Sequence, residues 1–227
     1  MLDKNKENSE TMTGLHANPF WVLRATSRDD NRKILDAAEE RSLFIDPDIC
    51  QKASSTLVNP RTRLAAEIAW LPGVSPRMAD ELLITLSENP LIVRQKSELP
   101  DLALANLMAA ASELVEDNES AEAITEFIVN FAWVAESIDT DTVMRDINED
   151  RAIAGIPQVQ SSDTIEDELS ERRKAYRSVL RNLLDRLDSH KLIRAITSAV
   201  SEATSDGEAQ GPALIDDLVD SYEVGTQ

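Results

Sequence analysis

The chain has 227 residues, 42% of them hydrophobic and 4% aromatic, enough to bury one good core or two modest ones and too apolar for disorder throughout. Its 42 acidic and 23 basic residues leave a formal charge of -19, which repels phosphate backbones and anionic headgroups and excludes nucleic acid and membrane surfaces as expected partners. Six glycines and an abundance of Ala, Leu, Glu, Asp and Arg favour helix over sheet, so an all-α protein is expected. The most apolar stretch, 124–135, carries Glu126 and Asn130 and is shorter than the ~20 residues of a membrane helix. No basic flank and apolar secretory core follow Met1, so a cytoplasmic location is expected. The single cysteine, Cys50, cannot form an internal disulfide, and helical periodicity assigns it to core packing over reactivity.

Residues 1–16 offer too little apolar surface to offset the entropy of ordering, so a disordered tail is expected, with folded chain from about Ala17. A short first helix carries Phe20, Val22 and Leu23, and the turn 26–30 supplies an N-cap. A second helix is predicted from about Asp29 to Phe44, with Ile34, Ala37, Ala38 and Leu43 on or near its inner face, and Pro47 stops it. A third, from about Ile49 to Leu57, buries Cys50, Ala53 and Leu57. Asn59-Pro60 ends it and starts a fourth, Arg61 to Trp70, with Leu64, Ile68 and Trp70 inward. After the Pro72-Gly73 break, further helices are expected at 76–87, 102–116, 121–138 and 141–153, with apolar residues three and four apart as in an antiparallel bundle. The polar stretch 157–163 is a linker or long loop. Beyond it runs the longest periodic segment, Ile165 to Val200, whose rhythm slips near Ser189-His190 and fits either one long helix or two in a hairpin. A last helical start at 212–222 ends at Val224–Gln227, and the natural polypeptide is expected to continue past it. The domain reading is thus a tail at 1–16, a unit at 17–74, a helical bundle at 75–156, the linker, and a helical hairpin or extension at 164–227.

The segment from Asn18 to Leu71 opens with Asn18-Pro19-Phe20-Trp21-Val22-Leu23, reaches Asp46-Pro47-Asp48 after twenty-two further residues, and runs into Asn59-Pro60-Arg61-Thr62-Arg63. In order and spacing it resembles a J domain. The resemblance covers less than a third of the chain in motif detail. Val22-Leu23 match the apolar pair at the family's start, Ile34 and Ala37 the apolar positions of its second helix, and Arg63 the basic residue after its third. It implies a helical hairpin whose connecting loop carries the family's His-Pro-Asp signature, which drives ATP hydrolysis by DnaK-type chaperones. Here the histidine position holds Asp46, and a carboxylate differs in charge and does not donate a hydrogen bond as an imidazole does. The family's basic second-helix face is also diluted, since Asp36, Glu39 and Glu40 lie among Arg32, Lys33 and Arg41. A degenerate J-like domain without the trigger is therefore the expectation. The ordinary role open to Asp46 and Asp48 is a turn and helix N-cap around Pro47. J-type co-chaperones of iron-sulfur assembly also continue into a small helical bundle, but this chain lacks their metal-binding cysteines, so that likeness is architectural.

Other chemistry is sparse. His16 lies in the expected tail and His190 at a helix junction, where a capping or solvent-facing role is expected. One cysteine and two distant histidines do not supply a zinc site, and no Gly-rich phosphate loop occurs. The acidic group Asp139, Asp141, Asp146, Glu149 and Asp150 lacks the glycine and alternating ligands of an EF-hand and reads as a solvated helix face. Trp21, Trp70 and Trp133 are the aromatic candidates for contacts: Trp21 for a junction with the following helices or an exposed contact, Trp133 for the core of the second region.

The expected function is a non-catalytic protein-protein interaction adaptor without metal or cofactor. Its degenerate signature loop is Asp46, Pro47 and Asp48, and its partner-binding candidates are Trp21, Arg32, Lys33, Asp36 and Glu40. The alternative is a J-type co-chaperone stimulating a specialised DnaK-like ATPase. Another protein, a DnaK-like chaperone among the options, is the expected partner, with homo-oligomerisation through 164–204 left open.

Overall fold

Most helix starts follow from a single side chain. In the computed structural model, which describes residues 14–116 and 118–223, Asn18, Asp30, Asp46, Asn59, Ser75, Ser120, Asp139 and Asp188 each accept a backbone N–H at the beginning of a helix. Each such cap satisfies an otherwise orphaned donor and contributes about 1 kcal/mol. The chain forms α1 (Pro19–Leu23), α2 (Asn31–Arg41), α3 (Pro47–Val58), α4 (Pro60–Ile68), α5 (Pro76–Glu88), α6 (Asp101–Leu114), α7 (Ala121–Glu136), α8 (Thr140–Ala154), α9 (Ser162–Asp185), α10 (Ser189–Ala203) and α11 (Ala213–Glu223). Short 3₁₀ stretches occupy Gly14–Ala17 and Pro90–Gln95. Among the described residues there is no strand, so the fold is all-α. No described helix is long and apolar enough to cross a membrane.

α6 is the centre. Every residue from Leu102 to Ser112 is buried, as required of a helix that is apolar all round, and alanines at 103, 105, 109, 110 and 111 keep its neighbours close. α7 and α9 pack on it, α10 and α11 pack on α7, and α9 also meets α4, α8 and α11. At the N-terminal end α3 lies against α1, α2 and α4. One apolar core runs without interruption from Phe20 and Ile34 through α6 to Leu180 and Leu218.

The segment after 162 forms two helices. α9 ends where the Arg186 guanidinium donates to the carbonyls of Ser112 (2.8 Å), Glu113 (3.0 Å) and Val115 (3.0 Å), satisfying the C-terminal end of α6. Asp188 then restarts the chain by accepting the N–H groups of His190 and Lys191. The apolar stripe of α9 is buried within this chain at Leu169, Tyr176 and Leu180, and α10 buries Ala195 and Ala199, with Leu192, Ile196 and Val200 half-buried and Ile193 exposed.

Four expectations need correction. α2 is shorter than predicted, ending at Arg41. The Leu43, Phe44 and Ile45 N–H groups turn back onto Glu40 and Arg41 carbonyls, so Leu43 points outward and is 78% exposed. Trp133 is 46% exposed rather than core, because Ile124, Phe127, Ile128, Phe131 and Ala135 already define the buried face of α7 and Trp133 falls on its flank. The expected tail at 1–16 reaches too far: Leu15 is 1% exposed within the first 3₁₀ stretch, and only residues 1–13 of that tail lie outside the described residues. The 3₁₀ stretch at 90–95, with Val93 buried, was not predicted, since Pro90 and its short length hide any period. The expected ending at Val224–Gln227 lies outside the described residues.

Candidate functional site

The connection 42–46 turns the chain so that α3 packs along α2, and Asp46 sits at the foot of α3. Its Oδ1 accepts the Asp48 N–H at 2.9 Å, with Pro47 in the first helical turn, where a missing N–H costs nothing. Asp48 follows in the same turn, near the positive end of the helix. All three are exposed. The geometry gives Asp46 the work of a cap: its carboxylate receives a hydrogen bond from its own helix. Beside it, Leu43 (78%), Phe44 (73%) and Ile49 (44%) stand in solvent. Burying Leu43 or Phe44 would gain up to about 1.5–3 kcal/mol, and the half-buried Ile49 less. Sequence periodicity missed the first two because it extended α2 through them; the signal available was the pair of apolar residues immediately before a Pro-initiated helix.

The remaining candidates on α2 are brought together, but as a charge-balanced surface. Arg32 Nε lies 3.9 Å from Asp36 and Lys33 Nζ 3.5 Å from Asp29, and Glu40 is exposed on the same helix. Such exposed pairs contribute only about 0–1 kcal/mol. Arg41, by contrast, turns inward and donates from Nε to the Val22 carbonyl at 3.2 Å, tying the end of α2 to α1. Trp21 is half-buried on α1, its ring edge-on to His16 with centroids 4.6 Å apart.

Arg63 is fully buried. It donates from Nε to Glu67 at 2.7 Å, from Nη2 to the Ser27 carbonyl at 2.7 Å and the Asp29 carbonyl at 3.3 Å, and from Nη1 to the Leu57 carbonyl at 3.3 Å. Its guanidinium also lies over the Phe20 ring, 5.3 Å from the centroid. Glu67 accepts a second arginine, Arg151 of α8, at 2.8 Å. Arg151 in turn donates to the carbonyls of Pro157 (2.9 Å) and Pro60 (3.0 Å). Next to it Asp150 accepts Ser27 Oγ at 2.6 Å and Arg28 Nε at 2.8 Å. Burial pushes the Glu67 carboxyl up, with the Arg151 and Arg63 guanidiniums pulling against it. This network joins α4 and the turn before α2 to α8, so the residue that the J-like resemblance singles out as basic works as an internal clamp.

The acidic group divides accordingly. Asp139 caps α8 and Asp141 lies in its first turn, whereas Asp150 is 1% exposed inside the clamp, not on a solvated face. Among the described residues no three His, Cys, Asp or Glu side chains gather as a metal site. A second buried knot forms at Asn106, whose Nδ2 donates to the Ile68 and Trp70 carbonyls (2.8 and 2.6 Å) and whose Oδ1 accepts Tyr176 Oη and Arg172 Nε (2.7 and 2.6 Å). The polar lining of the cavity of about 250 Å³ between α7, α9 and α11 is Glu136, Arg173, Tyr176 and Asp217. Each of these is engaged: Glu136 by the Ala213 N–H, Arg173 by Glu166, Tyr176 by Asn106 and Asp217 by Arg177.

No protein-family model matches the chain, and no curated protein or solved structure matches it.

Proposed function

We propose that this chain is a cytoplasmic, non-catalytic protein-protein interaction adaptor in which a degenerate J-like hairpin is fused to a helical bundle. The observation that carries the reading is the hydrogen bond from the Asp48 N–H to Asp46. At the place where the family carries its imidazole, this chain has an acid that stabilises its own helix. The mixed charge of α2 supports the same conclusion, since Arg32 and Lys33 are balanced by Asp36 and Asp29 and offer little net attraction to an acidic chaperone surface. The Arg63–Glu67–Arg151 clamp supports a rigid platform, in which the hairpin is held to the bundle rather than tethered to it.

The test is affinity capture of the full chain under native conditions, followed by gel filtration and native mass spectrometry. A partner protein retained at fixed stoichiometry is expected. Recovery of the chain alone, or of a chain carrying tightly bound nucleotide or metal, would refute the adaptor reading.

A further inference from the structure

Resting on the adaptor reading, we propose that the exposed end of the α2–α3 hairpin, centred on Leu43 and Phe44, is the docking surface for a basic amphipathic helix of a partner protein. Leu43 and Phe44 are the two most exposed large apolar side chains of the described residues, at 78% and 73%. They are adjacent, and Ile49 (44% exposed) follows on the first turn of α3. The other large apolar residues more than half exposed, Leu35, Ile84, Ile153 and Ile193, stand singly on four different helices, which is ordinary for a protein surface. A concentrated apolar pair at a loop tip held by rigid helices is not.

The rim selects the partner's charge. Glu40, Asp46 and Asp48, all exposed, flank the apolar pair in the chain, while Arg41, the last residue of α2, donates inward to the Val22 carbonyl. Lys52, one turn on from Asp48 on α3 and also exposed, sets one cation against these three carboxylates. A partner that buries Leu43 and Phe44 brings its own rim against these carboxylates, so lysine or arginine beside its apolar anchors is favoured and acidic residues are repelled. The net charge of -19 adds to the attraction at longer range. The same charges oppose the alternatives: a second copy would set this acidic rim against itself, and an anionic membrane surface would be repelled. An amphipathic helix, which presents apolar anchors three and four residues apart with basic residues beside them, supplies both the apolar face and the charge that this surface selects.

The probes are two synthetic amphipathic peptides of equal length and identical leucine spacing, one with lysine and one with glutamate at the polar positions. Binding to the full-length chain is followed by fluorescence anisotropy and by amide shifts of the ¹⁵N-labelled protein. The Leu/Lys peptide is expected to bind about tenfold or more tighter than the Leu/Glu peptide and to shift amides between residues 39 and 49. Leu43→Ser with Phe44→Ser is expected to weaken it about tenfold at unchanged net charge. Ile153→Ser with Ile193→Ser, which removes two singly exposed apolar side chains elsewhere, is expected to leave binding unchanged. Charge reversal by Glu40→Lys with Asp48→Lys should cut the preference between the peptides severalfold, the remainder being the long-range attraction of the acidic chain.

Binding insensitive to the Leu43/Phe44 pair, equal sensitivity to the control pair, or shifts centred elsewhere would overturn the proposal. So would a concentration-dependent dimer of the wild-type chain that the Leu43/Phe44 pair abolishes, which would assign the surface to a second copy. Failure here is distinguishable from failure of the adaptor reading: a stoichiometric partner captured equally by wild type and the Leu43/Phe44 variant removes the tip assignment and keeps the adaptor.

Discussion

Replacing Glu67 by glutamine keeps the shape of the side chain and removes one buried charge. Glu67 is 2% exposed and lies between Arg63 and Arg151, whose side chains are 0% and 3% exposed. Without the carboxylate, two guanidiniums remain buried with no anion between them. The new amide can accept from one arginine, but its NH₂ faces the N–H groups of the other. Breaking a buried pair by removing one partner costs about 3–5 kcal/mol, a large share of the about 5–15 kcal/mol that holds a typical domain folded. Because the clamp joins α4 to α8, the loss should lower the unfolding transition of the whole chain rather than of its N-terminal part. Urea unfolding, followed in parallel by circular dichroism and by fluorescence of the three tryptophans, should give coincident transitions displaced by that amount. Arg77→Ala is the control, since the Arg77–Glu81 pair is 91% and 62% exposed and its loss should cost under about 0.5 kcal/mol. A Glu67→Gln cost below about 1 kcal/mol, or one equal to that of Arg77→Ala, would refute the clamp.

Three further outcomes are expected. Asn106→Leu strands the Ile68 and Trp70 carbonyls and the Tyr176 hydroxyl together, so it should cost about 3 kcal/mol or more in the same unfolding assay; a near-neutral change would contradict the knot. At the caps of α8 and α10, hydrogen bonds from the Thr142 N–H and from the Lys191 and His190 N–H groups hold the Asp139 and Asp188 carboxyls below the usual aspartate range. Their contribution is therefore fully present above the ordinary aspartate value and lost as the pH falls through the lowered one. Carboxyl NMR titration should find both below an exposed aspartate, and values at or above it would remove the caps' role. Burial pushes the Cys50 thiol up, with Arg41 opposing, so native protein should react with a disulfide reagent far more slowly than urea-unfolded protein; equal rates would argue against its place in the core.

The all-α fold was legible because its signals are local. Capping side chains and prolines mark the helix starts, and the spacing of Cys50, Ala53 and Leu57 is enough to orient α3. What could not be read depends on chemistry between distant positions. Arg63 and Arg151 look like any surface arginines in sequence, and only the fold brings Glu67 between them from 4 and 84 positions away. Trp133 looked like core because its neighbours Phe131 and Val134 are apolar, yet the helix has room for one inward face and Phe127 and Phe131 fill it. At the turn, the role of Asp46 as a cap was legible from Pro47. The exposure of Leu43 and Phe44 was not, because a helix can continue through such residues and nothing local says that this one stops at Arg41.

The proposal rests on reading Asp46 as a structural acid at the position where J domains carry their histidine, and the hydrolysis of ATP by a DnaK-type chaperone tests that directly. Single-turnover rates with and without the full chain should be the same within error, and Asp48→Asn should change nothing. A chain that accelerates hydrolysis, with the acceleration abolished by Asp48→Asn, would contradict the account and make this protein a working co-chaperone.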